Sequence, residues 1–207
     1  MIPLTDKSIP VFDKNMLTTF THALHSMIAS MSGLHAVTFY HAPGIRYTGR
    51  TTGLERRPRM IIRQRSSKLD DGAIMKLIDT QLVPLSHMSE KEIHKIRKEI
   101  PLRMNRGMTF VISPEPNKPA VAFIHFLMHG ELLYVDMMAV SSKEQRKRYG
   151  QTLLHEAENF AASRGCKKSK VMVDEGNIKG NQFYQKNGYQ NLRYILISRC
   201  YEMEKRL

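Results

Sequence analysis

Hydrophobic positions along this chain recur with two periods, and the switches between them mark out a series of elements. Between Asp13 and Met31, the residues Leu17, Phe20, Leu24, Met27, Ile28 and Met31 fall on one helical stripe, with Asp13 as N-cap and Phe12 and Leu17 as a hydrophobic staple. Ser32-Gly33 ends it. Residues 35–58 hold one short apolar run, Ala36 to Tyr40, among Pro43, Gly44, Gly49, Gly53 and several arginines, and read as a linker. At Met60 the pattern tightens: Met60 to Arg65 predicts a strand, and Asp70 to Gln81 a helix with Ile74, Leu77 and Ile78 on one face. Val83-Pro84-Leu85 breaks that helix. The capping box Ser89-Glu90-Lys91-Glu92 opens another, running to about Met104 with Ile93, Ile96 and Ile100 inward.

Three strand-like runs follow, Met108 to Ser113, Ala120 to Met128 and Glu131 to Val140, joined by a Pro-rich loop and the His129-Gly130 turn. A long amphipathic helix spans Tyr149 to Arg164 and closes on Gly165. The rest reads as a short buried strand at Val171 to Val173, a helix over Gly180 to Asn187 and a strand over Tyr194 to Met203, a segment with room for a further strand. The order β-α-α-β-β-β-α-β-α-β predicts an α+β domain with a mixed sheet over residues 59–207. An extension over residues 1–58, one amphipathic helix plus a basic linker, precedes it.

Composition adds charge to this picture. The 207 residues carry 32 Lys and Arg against 19 Asp and Glu, a net charge of +13, which favours an anionic partner. Nucleic acid is compatible but not the favoured partner, because the run Arg56, Arg57, Arg59, Arg63, Arg65 has no interleaved aromatic stacking platform. The two cysteines, Cys166 and Cys200, stand without ligand spacing and fit a reduced, cytoplasmic chain. His22, His25, His35 and His41 lack the accompanying ligands of a metal site, so no metal is expected. No stretch approaches the apolar length of a membrane span, and the first residues do not form an export signal. The Met-rich first helix suits docking on the domain or on a second subunit, as in a homodimer.

The sharpest chemical signal lies where the third strand-like run leads into the long helix: Val140-Ser141-Ser142-Lys143-Glu144-Gln145-Arg146-Lys147-Arg148-Tyr149-Gly150-Gln151. A helix start leaves unpaired N–H groups at the positive end of its dipole. With Arg146, Lys147 and Arg148 beside them, and Gly150 allowing close approach, this is a diphosphate site. A second block runs Asn177-Ile178-Lys179-Gly180-Asn181-Gln182-Phe183-Tyr184-Gln185-Lys186-Asn187-Gly188-Tyr189.

The first block resembles the acetyl-CoA pyrophosphate loop of the GNAT superfamily, Q/R-x-x-G-x-G/A, with Gln145, Arg148 and Gly150 at the conserved places and Arg148 where a glycine is usual. The second resembles the superfamily's N-x-x-A-x-x-x-Y-x-x-x-G-F/Y helix, with Asn177, Tyr184, Gly188 and Tyr189 in register. The resemblance covers about Met60 to the C-terminus. It implies the GNAT-like acyl-CoA N-acyltransferase fold and acetyl-CoA as co-substrate. It further implies that backbone groups of Met138, Ala139 and Val140 bind the pantetheine, that Gln145, Arg146, Lys147, Arg148, Tyr149, Gly150 and Gln151 wrap the pyrophosphate, that Asn177 contacts the cofactor arm and that Tyr184 protonates the departing thiolate.

A base must also take the proton of the attacking amine. Asp136 shares strand parity with Met138 and Val140 and is the first candidate, acting through water, followed by Glu131 and His125; the position aligned with the glutamate of histone-acetylating relatives is Tyr134. The expected activity is acetyl transfer from acetyl-CoA to a primary amine of a small molecule, a peptide or protein, or an aminoacyl-tRNA, with acidic acceptors favoured by the net charge. The alternative is a non-catalytic acyl-CoA-binding module acting through its N-terminal extension.

Overall fold

The structure is a computed structural model that describes residues 60–207. The helix expected over residues 13–31, the run at 36–40 and the boundary at residue 58 lie outside the described residues.

Strand β1, Ile61–Gln64, leads into helix α1, Ser67–Leu77, which passes into a π turn, Ile78–Leu82, and a 3-10 turn, Val83–Leu85. Pro84 lacks the N–H that would continue the helical ladder, and the chain turns away there. Helix α2, Glu90–Met104, starts on the expected box: the Ser89 hydroxyl accepts from the Glu92 N–H while the Glu92 carboxylate accepts from Ser89. Strands β2 (Met108–Ser113), β3 (Ala122–His129) and β4 (Leu132–Val140) form an antiparallel meander with β1 on its outer side. Helix α3 (Tyr149–Ala162), β5 (Lys168–Asp174), α4 (Ile178–Lys186), β6 (Gln190–Ile195) and β7 (Cys200–Arg206) complete the domain. Where the sequence predicts one terminal strand at Tyr194 to Met203, the chain makes a hairpin that turns at residues 196–199, so the mixed sheet has seven strands in the order β1-β2-β3-β4-β5-β7-β6.

Alternation along the strands divides the core into two layers. Phe110, Ile112, Ile124, Phe126, Leu133, Val135, Val171, Val173 and Met203 face α3 and α4 and meet Leu153, Leu154, Ala157 and Tyr184. Val111, Phe123 and Ala139 face the other way and meet Ile74, Leu77, Ile78 on α1 and Ile100, Met104 on α2. Edge-to-face packing of Phe110 and Phe126 on Phe160, with centroids 5.2 and 5.9 Å apart, fixes α3 against the meander. On the other face the buried Asp70 carboxylate takes a bidentate pair from Arg63 and the N–H of Ala120, tying α1 to β1 and to the approach to β3.

No helix of the described residues is long and apolar enough to cross a membrane, and none of their His, Cys, Asp and Glu side chains cluster in threes to hold a metal ion.

Candidate functional site

The sheet opens at its centre. Strands β4 and β5 run parallel and pair only over Leu132–Val135 with Lys168–Val171. Beyond that point β4 continues along β3 as far as Val140, and β5 continues along β7 as far as Asp174. The β5-facing edge of residues 136–140 therefore has no strand partner among the described residues. The splay begins at a β-bulge: Val135 pairs with Phe126 and Met137 with His125, which leaves Asp136 without a cross-strand neighbour and bends the strand. The free edge runs past Met138, Ala139 and Val140; apart from the Val140 carbonyl, which accepts from Gln145, the peptide groups that face it have no backbone partner among the described residues and can bind an extended amide-bearing chain as a strand would.

Beyond Val140 a 3-10 turn, Ser142–Glu144, leads to the basic loop. Arg146 and Arg148 both have φ of +63°, and this left-handed alternation turns successive N–H groups to one side. Arg148 is the N-cap of α3 and gives it no side-chain cap. The amides of residues 146–151 have no backbone acceptor among the described residues. They border a cavity of about 600 Å³ lined by Val140, Gln145, Arg148, Gly150, Phe183 and Lys186, among others. A Cβ at Gly150 would sit 3.5–3.6 Å from Phe183 and Val140, inside the cavity's wall. Gln145 donates to the Val140 carbonyl at 3.2 Å and to Gln81 at 3.0 Å, fixing the loop to both the strand end and the π turn. Free N–H groups, guanidinium charge and a bare glycine fit a pyrophosphate.

Tyr184 is buried in α4, edge-on to Phe183 and Tyr189 at 5.2 Å each, and its hydroxyl has no hydrogen-bond partner among the described residues. Burial, and then the carboxylate of Glu158, push its pKa well up, so it holds its proton throughout the physiological range. Tyr184 lies outside the lining of the basic cavity. Asn177 caps α4 by accepting from the Gly180 N–H at 2.8 Å. Gly180 stands where the motif has alanine, and a Cβ there would come within 2.5 Å of the Asn177 amide.

Asp136 departs from the expected parity. Because the bulge places two successive residues on one face, Asp136 shares the α1–α2 face with Met137 rather than the face of Met138 and Val140. Its side chain is 3% exposed, is ion-paired with Arg103 of α2, and lies 3.8 Å from His125 Nε2. Burial lowers the His125 pKa, and its Nδ1 lies 2.9 Å from the Thr109 hydroxyl. Tyr134 stands on the same face; burial first and Asp136 second raise its pKa. Glu131 is exposed at the β3–β4 turn, paired with Lys167 at the end of β4 remote from the split.

The connection between α1 and α2 crosses the mouth of the split. Gln81 holds it to the basic loop beside β4, and His87 holds it to the last residue of β5: Asp174 accepts from the His87 N–H at 3.3 Å and its Oδ1 lies 2.7 Å from the His87 ring Nδ1. Nothing local in the sequence marks His87, since no pattern links it to a carboxylate 87 positions away.

A family model described as acetyltransferase (GNAT) matches residues 74–189. No curated protein sequence matches the chain. Among solved structures, the chain is similar in fold to the PaiA N-acetyltransferase of Thermoplasma acidophilum, solved in complex with coenzyme A (20% identity over 72% of this chain and 99% of that one, TM-score 0.60). It is similar as well to a GNAT-family acetyltransferase from Staphylococcus aureus Mu50 (12% identity, 72% and 99% covered, TM-score 0.59). Ard1 of Thermoplasma volcanium is a third such fold (19% identity, 72% and 97% covered, TM-score 0.54).

Proposed function

The chain belongs to the acetyltransferase (GNAT) family, and from that premise we propose that it transfers an acetyl group from acetyl-CoA directly to a primary amine, with residues 59–207 as the catalytic domain. The observation that carries the proposal is the conjunction of two gaps in the backbone ladder: the unpaired β4 edge over residues 136–140 and the unpaired amides over 146–151. They are separated by one short turn. An extended chain ending in a diphosphate would satisfy both at once.

In this reading Met138, Ala139 and Val140 bind the pantetheine arm through their main chain. The amides of Arg146 to Gln151 take the pyrophosphate, with the side chains of Arg146, Lys147 and Arg148 neutralising its charge. The carbonyl oxygen of the thioester becomes anionic in the transition state, and a free β4 N–H beside the bulge is suited to hold it. Tyr184 gives its proton to the departing sulfur: its raised pKa keeps the proton in place until a desolvated thiolate develops beside it. Asn177 sets the start of α4, and so the reach of Tyr184, by capping. Asp136 takes part only through water, because Arg103 engages one of its oxygens and the other is buried. Acceptors in view are a small amine, a peptide amine and an aminoacyl-tRNA, the basic charge favouring acidic ones.

Thermal unfolding with and without acetyl-CoA tests the cofactor half of this reading. At 100 times its dissociation constant the ligand stabilises by about 2.7 kcal/mol, on the order of 5–10 °C for a chain of this length. Gly150→Asp, whose Cβ the wall accommodates but whose carboxylate faces the phosphates, should abolish the shift without lowering the unliganded midpoint by a comparable amount. No shift in the intact protein sinks the proposal; a shift without thiol release across a broad amine panel favours the binding-module alternative.

A further inference from the structure

Resting on the acetyl-transfer reading, we propose that His87, held by Asp174, is the base that takes the proton from the acceptor amine. The bend carrying His87 lies across the split where β4 and β5 part. Asp174 ends β5 on the side of that sheet facing α1 and α2, because its neighbour Val173 packs into the opposite layer. The Asp174 carboxylate accepts from the His87 backbone and lies 2.7 Å from its Nδ1, so both the loop and the ring are fixed. Asp174 also accepts from the Gly176 N–H at 2.9 Å, and a Cβ at Gly176 would crowd the ring, 3.0 Å from His87 Cε1. This arrangement fixes the tautomer. With Nδ1–H given to the carboxylate, the lone pair is on Nε2, which has no hydrogen-bond partner among the described residues and lies 3.9 Å from Glu175. The side chain is 33% exposed, open enough for an amine to reach.

The other titratable groups on this face are occupied or enclosed. Arg103 holds Asp136, Lys170 and Arg193 hold Glu202, and His125 is fully buried. Burial raises the Cys200 thiol, leaving it protonated. The charged groups that face His87 are Asp174 from β5 and Glu175 from the β5–α4 turn. Glu175 in turn is engaged by the Tyr194 hydroxyl, and then by Arg199, of the β6–β7 hairpin, which hold its proton affinity low. These contacts keep Glu175 from competing as the base and leave a local negative charge to stabilise an imidazolium.

The step balances within the chain. The neutral amine nitrogen bonds to the thioester carbon, His87 Nε2 takes one amine proton, the carbon–sulfur bond breaks, and the leaving thiolate receives the Tyr184 proton. Proton return from imidazolium to phenolate, through solvent, restores both groups.

The test uses the intact chain, acetyl-CoA and a panel of primary amines whose own pKa values lie well above that of imidazole, with thiol release followed from pH 5 to pH 9. Beyond the rise that deprotonation of the amine alone gives, the wild-type kcat/KM should carry a further acid limb that depends on the side chain at position 87. His87→Gln should lose that limb and about 100-fold or more in kcat/KM, while its acetyl-CoA-dependent thermal shift stays intact. Asp174→Asn should retain a limb at reduced rate, since it disturbs tautomer and charge but keeps the ring. An unchanged limb and rate in His87→Gln, with loss in Asp136→Asn, overturns the assignment and leaves acetyl transfer standing. Absence of any acetyl-CoA shift in the wild type fails the function reading itself, and binding without turnover of any amine overturns both.

Discussion

Replacing Arg148 tests the proposal that the basic loop before α3 holds a phosphate. Arg148 has φ 63° and ψ 11°, a left-handed conformation that costs a side-chain-bearing residue roughly 1–2 kcal/mol. Glycine adopts it freely but has more entropy to lose on folding, about 0.5–1 kcal/mol. Arg148→Gly should therefore stabilise the unliganded protein by about 0.5 kcal/mol, a rise in midpoint of only ~1–2 °C. The comparison with Arg148→Ala is sharper. Alanine keeps the Cβ and hence the strain, so Gly should exceed Ala by the same net margin, about 0.5 kcal/mol, in urea unfolding, with no change of charge between the two. Affinity should run the other way. The guanidinium makes no ion pair with the described residues, so it is free to meet a phosphate. As a solvent-exposed pair it would contribute about 0.2–1 kcal/mol, up to ~5-fold in acetyl-CoA affinity, and the difference should shrink at high salt. Both variants would lose it equally. A glycine variant less stable than the alanine variant would refute the left-handed backbone, and equal affinities for all three proteins at low salt would refute the phosphate contact.

Two further outcomes follow from the site. Asn177→Ala should cost about 1 kcal/mol through loss of the α4 cap; if acetyl-CoA affinity falls by much more than stability does, measured by titration calorimetry beside urea unfolding, Asn177 contacts the cofactor as well. Burial lowers the folded-state pKa of His125 below its ordinary value, so the unfolded chain binds the extra proton first. That contribution is complete above about pH 6.5 and is lost as pH falls from there toward the folded value, and His125→Gln should flatten this part of the stability–pH curve.

Much of the fold was legible because local and tertiary preferences agree. The Ser89 capping box, the apolar stripes of α1, α2 and α3, and the β2–β3–β4 meander each bury what their period presents. Boundaries moved where packing outweighed pattern. α1 begins at Ser67 because Asp70 accepts from the Ser66 N–H, a cap that does not sit at the N-cap position. The terminal segment hides its turn because residues 195–197, Ile-Leu-Ile, read as strand interior although the chain reverses just beyond them, with Arg199 left-handed at φ 51°. The candidate site was half legible. The basic loop over 145–151 and the helix that carries Tyr184 are each one contiguous run of sequence, so their spacing can be read locally. The His87–Asp174 pair and the Asp136–Arg103 pair join residues 87 and 33 positions apart, and no periodicity reports such contacts.

The parity of Asp136 shows why a strand near a site resists this kind of reading. Counting alternate residues assumes an unbroken ladder, yet the bulge at Asp136 is what lets β4 bend away from β5 and leave residues 136–140 unpaired. The irregularity that misdirects the count is therefore the same one that opens the split. A straight β4 would have put Asp136 where parity expects it, in a sheet closed at the centre with no free edge to bind an acyl chain. The bulge instead seals Asp136 beneath α2 with Arg103 and leaves the rim of the split to groups from other elements, among them His87, whose Nε2 has no hydrogen-bond partner among the described residues.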